Sequence, residues 1–254
     1  MFMSTYIKNV ELGNGRTKIC LPIIARTKET ILSEAEELKN SVADIIEWRV
    51  DFYEDIMCIE KTLETLTCLA DVLEDKPVLF TFRTKDEGGE REVETDYYKH
   101  LIIEVIKQRK AGAVDVELFK EEGLLEEISG IADEYDMIVI ASNHDFEKTP
   151  SKDIIVERLL SMKAKGAHIS KIAVMPKNEE DVLSLLQATY EAKQALPEMT
   201  IITMSMGKLG VISRLGGGVF GSAMTFGAKT KELASAPGQV EAEQLKDILA
   251  IIEE

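Results

Sequence analysis

Residues 137–175, MIVIASNHDFEKTPSKDIIVERLLSMKAKGAHISKIAVM, contain a predicted strand, helix and second strand in direct succession. The segments 137–143 and 168–175 are short apolar runs, and in 152–165 the apolar residues recur three and four positions apart. A helix that connects two such strands indicates a parallel sheet, because it returns the chain to the edge where the first strand began.

The same alternation runs through the whole chain. It predicts eight strands, at residues 18–26, 45–51, 78–83, 113–118, 137–143, 168–175, 200–206 and 222–226. Eight nearly continuous apolar strands with helices between most of them favour an α/β fold of the (β/α)8 TIM-barrel type, and 254 residues suit one such domain, covering 1–254. An open doubly wound sheet is the alternative, but residues 25–30 after the first strand, ARTKET, lack the glycine-rich turn of dinucleotide folds.

Two short segments near the N-terminus, 6–10 and 16–20, flank the sequence ELGNG at 11–15. Asn-Gly is a strong turn signal between strands. We therefore predict an N-terminal β-hairpin that closes the floor of the barrel, the end at which the strands begin.

Composition excludes several classes of partner and site. The net charge is −16 and there is no basic run, so nucleic acids and acidic membranes are unsuitable partners. An anionic small substrate requires a local cluster of arginine and lysine. Cys20, Cys58 and Cys68 lack Cys-x-x-Cys spacing, which predicts neither a metal site nor a disulfide. No apolar segment reaches membrane-spanning length and no signal sequence is evident, so we expect a cytoplasmic protein.

Charged residues interrupt four of the apolar strands. Period-two alternation places Glu47, Arg49 and Asp51 on one face of residues 45–51, with Trp48 on the other. A face packed on helices would exclude charges, so we predict that they line the barrel interior near the ends of the strands, where barrel active sites lie. The alternative is an ion-pair network that only fills the barrel. The charged residues of the other strands are Arg83, Asp115, Glu117 and Lys171.

Lys171 lies within an apolar strand. Partial desolvation near a cation such as Arg49 would disfavour its charged form and supply an amine that can attack a carbonyl group. A carboxylate neighbour would have the opposite effect, and a structural ion pair with Glu117 or Glu47 is the alternative.

His144 follows the strand that precedes the Lys171 strand, so the two side chains are expected to converge, with His144 as general acid and base. The alternative for His144 is a turn residue. Ser235 and Gln239, near the start of the last helix, suit an anionic group, although helix capping is the alternative for Ser235. The glycine-rich segments 204–227 and 228–239 are predicted to be mobile loops at the barrel mouth.

Together these segments resemble the type I 3-dehydroquinate dehydratase family over nearly the whole chain. The resemblance is carried by EWRVD (47–51), FTFRTKDEGGE (80–90), VDVEL (114–118), NHDF (143–146), KIAVMP (171–176), ITMSMG (202–207), VFGSAMTFG (219–227) and ASAPGQ (234–239).

This resemblance implies a cofactor-free dehydration of 3-dehydroquinate to 3-dehydroshikimate, the third step of the shikimate pathway, by a homodimeric (β/α)8 barrel. It also implies a role for each matching residue. Lys171 would form the imine, His144 would transfer protons, and Glu87 would orient that histidine. The residues implied to bind the substrate are Arg214, Ser235 and Gln239 at its carboxylate, and Glu47, Arg49 and Arg83 at its hydroxyls.

A barrel with a strand lysine is also compatible with two other functions. A class I aldolase barrel also uses a strand lysine but needs a phosphate site after the later strands. A binding barrel would keep the pocket without turnover, and would show no rise in enone absorbance with the ligand.

Overall fold

The structure, a computed structural model, describes residues 4–230 and 235–253. Two short strands, β1 (Thr5–Ile7) and β2 (Val10–Leu12), pair antiparallel. The other eight strands pair parallel in the order β10-β3-β4-β5-β6-β7-β8-β9. Their bounds are β3 (Lys18–Ile23), β4 (Ile45–Arg49), β5 (Val78–Thr81), β6 (Ala113–Glu117), β7 (Ile138–Asp145), β8 (Ile169–Val174), β9 (Thr200–Ser205) and β10 (Met224–Phe226).

An α-helix follows each of these eight strands. The helix α1 begins with a capping box, in which Thr27 and Thr30 each satisfy a free backbone amide of the other. None of the helices in the described part of the chain combines the length and apolar character that a membrane crossing needs. The helices are α1 (Lys28–Lys39), α2 (Ile59–Leu73), α3 (Thr95–Gln108), α4 (Leu124–Glu134), α5 (Lys152–Ala164), α6 (Glu179–Ala195), α7 (Val211–Gly216) and α8 (Ala242–Glu253).

The sheet closes between its first and last strands. The amide of Ala223, just before β10, donates to the carbonyl oxygen of Ile201 on β9 at 2.8 Å. The amide of Thr203 donates to Oγ of Ser222 at 3.0 Å. The predicted (β/α)8 barrel is therefore confirmed, and the open sheet is excluded.

Two sets of buried side chains confirm the predicted alternation of inward and outward residues on the strands. Trp48, Phe80 and Val114 belong to the outer layer, between strands and helices. Their neighbours Ile45, Leu79 and Ala113 point into the barrel, where they pack with other inner residues. Glu47 and Arg49 have the same parity as Ile45 and therefore face inward.

The N-terminal hairpin exists, but its position differs from the prediction. Its turn is at Lys8 and Asn9, and Lys8 has a positive φ of 51°. The predicted turn at Asn14-Gly15 lies after β2, and residues from Lys18 onward already form the first barrel strand. Ile7 and Leu12 are fully buried against the inner residues at the start of the barrel strands, so the hairpin does close the floor.

The segment 204–227 is not simply a mouth loop. It contains the end of β9, the helix α7, a 3₁₀ turn (Gly217–Phe220) and β10. A side chain at Gly218 would collide with Thr17 and Glu253, so this segment descends to the floor side and packs there. The predicted mouth loop at 228–239 includes residues 231–234, which lie outside the described part of the chain.

Candidate active site

A pocket lies at the carboxyl ends of the barrel strands. It is bordered by all nine residues singled out from the sequence as catalytic or substrate-binding. They come from six segments of the chain, so only barrel closure brings them together. They are Glu47, Arg49, Arg83, Glu87, His144, Lys171, Arg214, Ser235 and Gln239.

Among the described residues Lys171 is the one lysine that borders this pocket, and its side chain is buried. Its Nζ lies 3.2 Å from Oδ2 of Asp115 and 4.5 Å from the centre of the Phe226 ring. The carboxylate neighbour is therefore present, but it is Asp115 and not Glu117 or Glu47. Both contacts favour a positive charge on the nitrogen.

Asp115 belongs to a buried network with Arg83 at its centre. Arg83 donates to Asp115 at 2.7 Å and to Glu117 at 2.8 Å, and Ser142 donates to Asp115 at 2.6 Å. Burial alone would raise the pKa of Asp115, but Arg83 and Lys171 outweigh it, so the pKa lies below its usual value. Burial would lower the pKa of Arg83, but the surrounding carboxylates raise it well above its usual value. Both groups are therefore ionised at neutral pH.

His144 lies on β7, the strand that pairs with the Lys171 strand β8. On the β7–β8 ladder Ser142 pairs with Lys171, so His144 lies on the same face two residues nearer the mouth. Its Nδ1 lies 2.8 Å from Oε2 of Glu87, and its backbone amide donates to the same oxygen at 3.0 Å. Asn143 donates to the other oxygen of Glu87 at 3.1 Å. Glu87 therefore holds both the ring and the backbone of His144.

Burial shifts both members of this pair toward their neutral forms. It lowers the pKa of His144 well below its usual range, with Arg83, Lys171 and Arg49 acting in the same direction. Burial also raises the pKa of Glu87 to about 8, although Arg83 opposes that change. A neutral imidazole accepts a proton only at the ring nitrogen that carries no hydrogen, so Nε2 of His144 is available when Glu87 is ionised and Nδ1 carries the hydrogen.

Arg214 has a different environment from the other cations. Its side chain is fully buried and donates to the carbonyl oxygens of Phe226 and Pro237, each at 3.2 Å. Among the described residues no carboxylate lies within ion-pair distance of it, and Nε has no hydrogen-bond partner. Burial lowers the pKa of Arg214 to about 10. A buried cation of this kind is suited to an anionic group of a ligand.

The pocket contains the local cluster of arginine and lysine that an anionic small substrate requires, but most of its positive charge is paired. Arg49 forms two 2.8 Å hydrogen bonds with Asp51, Arg83 pairs with Asp115 and Glu117, and Lys171 pairs with Asp115. Three of the four cations that border the pocket are therefore neutralised by carboxylates, and among the described residues Arg214 is the one without such a partner.

Ser235 and Gln239 lie beside Arg214 at the pocket and contact each other. The amide of Ser235 donates to Oε1 of Gln239 at 2.9 Å, and Nε2 of Gln239 donates to Oγ of Ser235 at 3.1 Å. The helix α8 begins only at Ala242, so Ser235 does not cap it. The capping alternative for Ser235 is therefore wrong.

Glu47 accepts a hydrogen bond from Oγ1 of Thr81 at 2.9 Å, and no cation of the described residues lies within ion-pair distance of its carboxylate. Its side chain borders the pocket beside Arg49. A buried carboxylate with free lone pairs is suited to accept hydrogen bonds from ligand hydroxyls.

Several residues at or beneath the pocket have no role in the predictions from sequence. Asp115 lies in the barrel interior as predicted, but the strand pattern does not indicate its contact with Lys171. Phe226, Met204 and Phe146 supply apolar walls. The parity of β10, in which Met224 packs with the inner residues, was the available signal for Phe226.

Comparison with known proteins gives matches over nearly the whole chain. The sequence model of the family described as type I 3-dehydroquinase matches residues 19–254. A 3-dehydroquinate dehydratase of Clostridium botulinum (strain Eklund 17B / Type B) is 50% identical over 248 residues, which are 98% of this chain and 97% of that protein.

Two solved structures are also similar. One is a crystal structure of type I 3-dehydroquinate dehydratase from Clostridium difficile with covalent modified comenic acid. It is 46% identical, with a TM-score of 0.95 and coverage of 99% of this chain and 98% of that one. A 3-dehydroquinate dehydratase from Geobacillus kaustophilus HTA426 is 35% identical, with a TM-score of 0.94 and coverage of 98% and 96%.

These matches exclude the aldolase and the binding barrel as descriptions of the chain. The family resemblance found in the sequence is confirmed, and so is the hydro-lyase class that it implied. The chain therefore belongs to the type I 3-dehydroquinase family, the 3-dehydroquinate dehydratases of the shikimate pathway.

Proposed function

We propose that this enzyme dehydrates 3-dehydroquinate through a covalent imine on Lys171, with His144 as the general acid and base. One observation carries the proposal. A buried lysine and a histidine whose neutral form burial favours lie on the same face of adjacent strands and border one pocket. The 46% identical relative was crystallised with covalent modified comenic acid, which supports the presence of a nucleophilic side chain in a protein of this family.

In the first step the neutral amine of Lys171 attacks the ketone carbon and forms a carbon–nitrogen bond. The carbonyl oxygen gains two protons and leaves as water, and the nitrogen remains as a protonated imine. Attack requires the free electron pair of the amine, so one proton leaves the ammonium nitrogen first. That proton and a second one lost from the nitrogen after attack are the two that the carbonyl oxygen gains.

In the second step the protonated imine withdraws electrons from the neighbouring carbon, and His144 removes a proton from that carbon. The electron pair left behind forms an enamine and then expels the hydroxyl group one carbon further on. His144 returns its proton to that oxygen, so water leaves. Such acid and base assistance is worth ~100 to 10,000-fold in rate. Water then hydrolyses the imine, again with help from His144, and frees Lys171.

Glu87 has a positioning role, because its contacts with Nδ1 and the backbone amide fix the ring of His144. The same arrangement assigns the substrate contacts. Arg214, Ser235 and Gln239 would bind the carboxylate, since Arg214 is the buried cation that lacks a carboxylate partner in the described part of the chain. Glu47, Arg49 and Arg83 would contact the hydroxyls. All these steps use side chains and water, without a cofactor.

The experiment is reductive trapping. Borohydride added with 3-dehydroquinate is expected to leave a reduced adduct on the peptide that contains Lys171, measured by mass spectrometry. Lys171→Met should abolish both adduct and turnover, whereas Lys208→Met, at an exposed lysine outside the pocket lining, should retain both. Normal turnover with unmodified Lys171 would overturn the imine.

His144→Ala separates the two roles. This variant should still form the adduct but should lose most of its turnover, measured as enone absorbance. Full activity in His144→Ala would remove His144 from the proposal and leave the imine intact.

We also infer that residues 1–254 form one domain, since a single closed barrel and a hairpin packed on it account for the described strands. A homodimer is the assembly that the family resemblance implies, and sedimentation equilibrium should give twice the mass of the chain. A single-chain mass at all concentrations would contradict it.

A further inference from the structure

The aromatic ring of Phe226 lies next to Lys171 and has no role in the reaction steps proposed for Lys171 and His144. Nζ of Lys171 lies 4.5 Å from the centre of the Phe226 ring, well within the ~6 Å at which a cation is attracted to a ring face. Both side chains are buried, so little water weakens this attraction.

The position of the ring is fixed by its surroundings. Phe226 is the last residue of β10, and on the β10–β3 ladder it pairs with Cys20. Its carbonyl oxygen accepts a hydrogen bond from Arg214 at 3.2 Å. A group that is already in place stabilises charge without having to reorganise during the reaction.

The ring and Asp115 respond differently to imine formation. An ammonium group has three N–H donors, whereas a protonated imine has one. Asp115 also shares Oδ1 with Arg83 and Ser142, so only Oδ2 serves Lys171. Attraction to a ring face does not depend on the number of N–H groups and therefore persists after the covalent bond forms.

We propose that the ring of Phe226 is a catalytic group that, with Asp115, stabilises the positive charge on the Lys171 nitrogen and keeps the imine protonated during turnover. This inference rests on the proposed function. Only the protonated imine withdraws electrons strongly enough for the neighbouring carbon to lose its proton. Without the ring, the imine would lose its own proton at a lower pH, and the elimination would slow at alkaline pH.

Other ionisable groups border the same pocket, belong to the buried network around Asp115 or, in the case of Cys20, interact electrostatically with Lys171, and they must stay constant in the test. Their elements pack around β8 on every side of the barrel. The acidic groups are Cys20 on β3, Glu47 on β4, Asp115 and Glu117 on β6, and Glu87 after β5. The basic groups are Arg49 on β4, Arg83 after β5, His144 on β7 and Arg214 on α7.

A graded change of the ring alone leaves all these groups in place. Phe226 is replaced in turn by phenylalanines that carry one, two and three ring fluorines, which weaken the attraction of the ring face with little change in size. The protonated imine is measured by cyanoborohydride trapping with 3-dehydroquinate, because this reagent reduces the protonated imine, and the adduct is quantified at each pH by mass spectrometry.

We expect the alkaline fall in trapping and in kcat to move to lower pH step by step with each fluorine. The trifluorinated protein should give ~10-fold less adduct at alkaline pH and an unchanged amount at acidic pH. Phe226→Leu should behave at least as severely. The same fluorinated series at Phe82, a fully buried aromatic residue of the outer layer with no cation over its ring in the described residues, should leave the profile unchanged.

A flat series at Phe226, or an equal loss of adduct at every pH, would overturn the role of the ring. If the unmodified enzyme gives no adduct at any pH, the proposed imine fails instead. The two failures are therefore distinguishable.

Discussion

Oε2 of Glu87 lies 2.8 Å from Nδ1 of His144 and also accepts the backbone amide of the same residue at 3.0 Å. One carboxylate oxygen therefore sets both the position of the imidazole ring and its tautomer. With the carboxylate ionised, Nδ1 carries the hydrogen and Nε2 is free to accept a proton. With the carboxyl group protonated, Nδ1 accepts a hydrogen bond from it, so Nε2 carries the ring hydrogen and cannot accept a proton.

This relationship predicts a pH dependence. Burial raises the pKa of Glu87 to about 8, so the form that cannot accept a proton prevails below that pH and the active form above it. We expect kcat/KM, which reports the free enzyme, to rise with pH and level off above about 8. A profile that is flat from about pH 6 to about pH 10, roughly two units on either side of the pKa of Glu87, would contradict the assignment.

Glu87→Gln should remove this titration and lower kcat by ~100 to 10,000-fold, since an amide has one acceptor oxygen for the donors that Glu87 now satisfies. The control is Glu126→Gln, at an exposed ion pair with Lys165. Steady-state kinetics across pH distinguish the two variants.

Arg214→Met should separate binding from stability. Loss of a charge-assisted hydrogen bond to the substrate carboxylate is expected to raise KM by ~10 to 100-fold, while kcat changes less. Without substrate the variant should unfold at a temperature equal to or above that of the parent, because a buried cation without a carboxylate partner is costly. A lower unfolding temperature with unchanged KM would make Arg214 purely structural.

Gly238 holds the segment that carries Ser235 and Gln239 against the barrel. It has a φ of +80°, and a side chain there would collide with the backbone of Gly207. We expect Gly238→Ala to displace the segment and to raise KM about tenfold or more. Gly123 is a matched control, because it has the same φ of +80° but open space around it.

Gly123→Ala should cost ~1–2 kcal/mol of folding free energy through backbone strain alone and should leave KM unchanged. Equal kinetic effects of the two substitutions would show that the collision with Gly207 has no bearing on the site. Both variants are compared by steady-state kinetics and urea unfolding.

Arg83→Met should destabilise the protein by ~3–5 kcal/mol, because it leaves the buried carboxylates of Asp115 and Glu117 without their shared cation. Lys110→Met, which removes an exposed pair with Asp71, should cost less than ~1 kcal/mol. Urea unfolding at neutral pH measures both. Similar losses of unfolding free energy in the two variants would show that the buried network stabilises the protein no more than an exposed ion pair does.

The network also predicts an acid effect. The pKa of Asp115 lies below its ordinary value of 3.8, so its stabilising contribution is present above pH 3.8 and is lost as the pH falls through the lower folded-state pKa. The stability difference between the parent and Arg83→Met should therefore shrink below pH 3.8. A difference that stays constant into that range would exclude Asp115 as its source.

The sequence by itself determined the fold class and the membership of the pocket. Alternation of strand and helix predicted the barrel, and period-two parity placed Glu47, Arg49 and Lys171 inside it. These are local properties, since the direction of a side chain on a strand depends only on its own neighbours in the chain. Strand ends were less accurate: the segments 45–51 and 78–83 leave the sheet after Arg49 and Thr81.

Only the tertiary structure decided which charges meet. On the ladders, Glu117 and Lys171 both pair with Ser142, yet the ammonium group of Lys171 contacts Asp115, two residues earlier. Strands in a closed barrel are tilted and staggered, so residues level on the ladder are offset around the barrel axis. This offset and barrel closure together decide that Lys171 contacts Asp115 and Phe226. They also decide that no described carboxylate lies near Arg214. A local sequence pattern cannot predict either result, because both depend on residues that are distant in the chain.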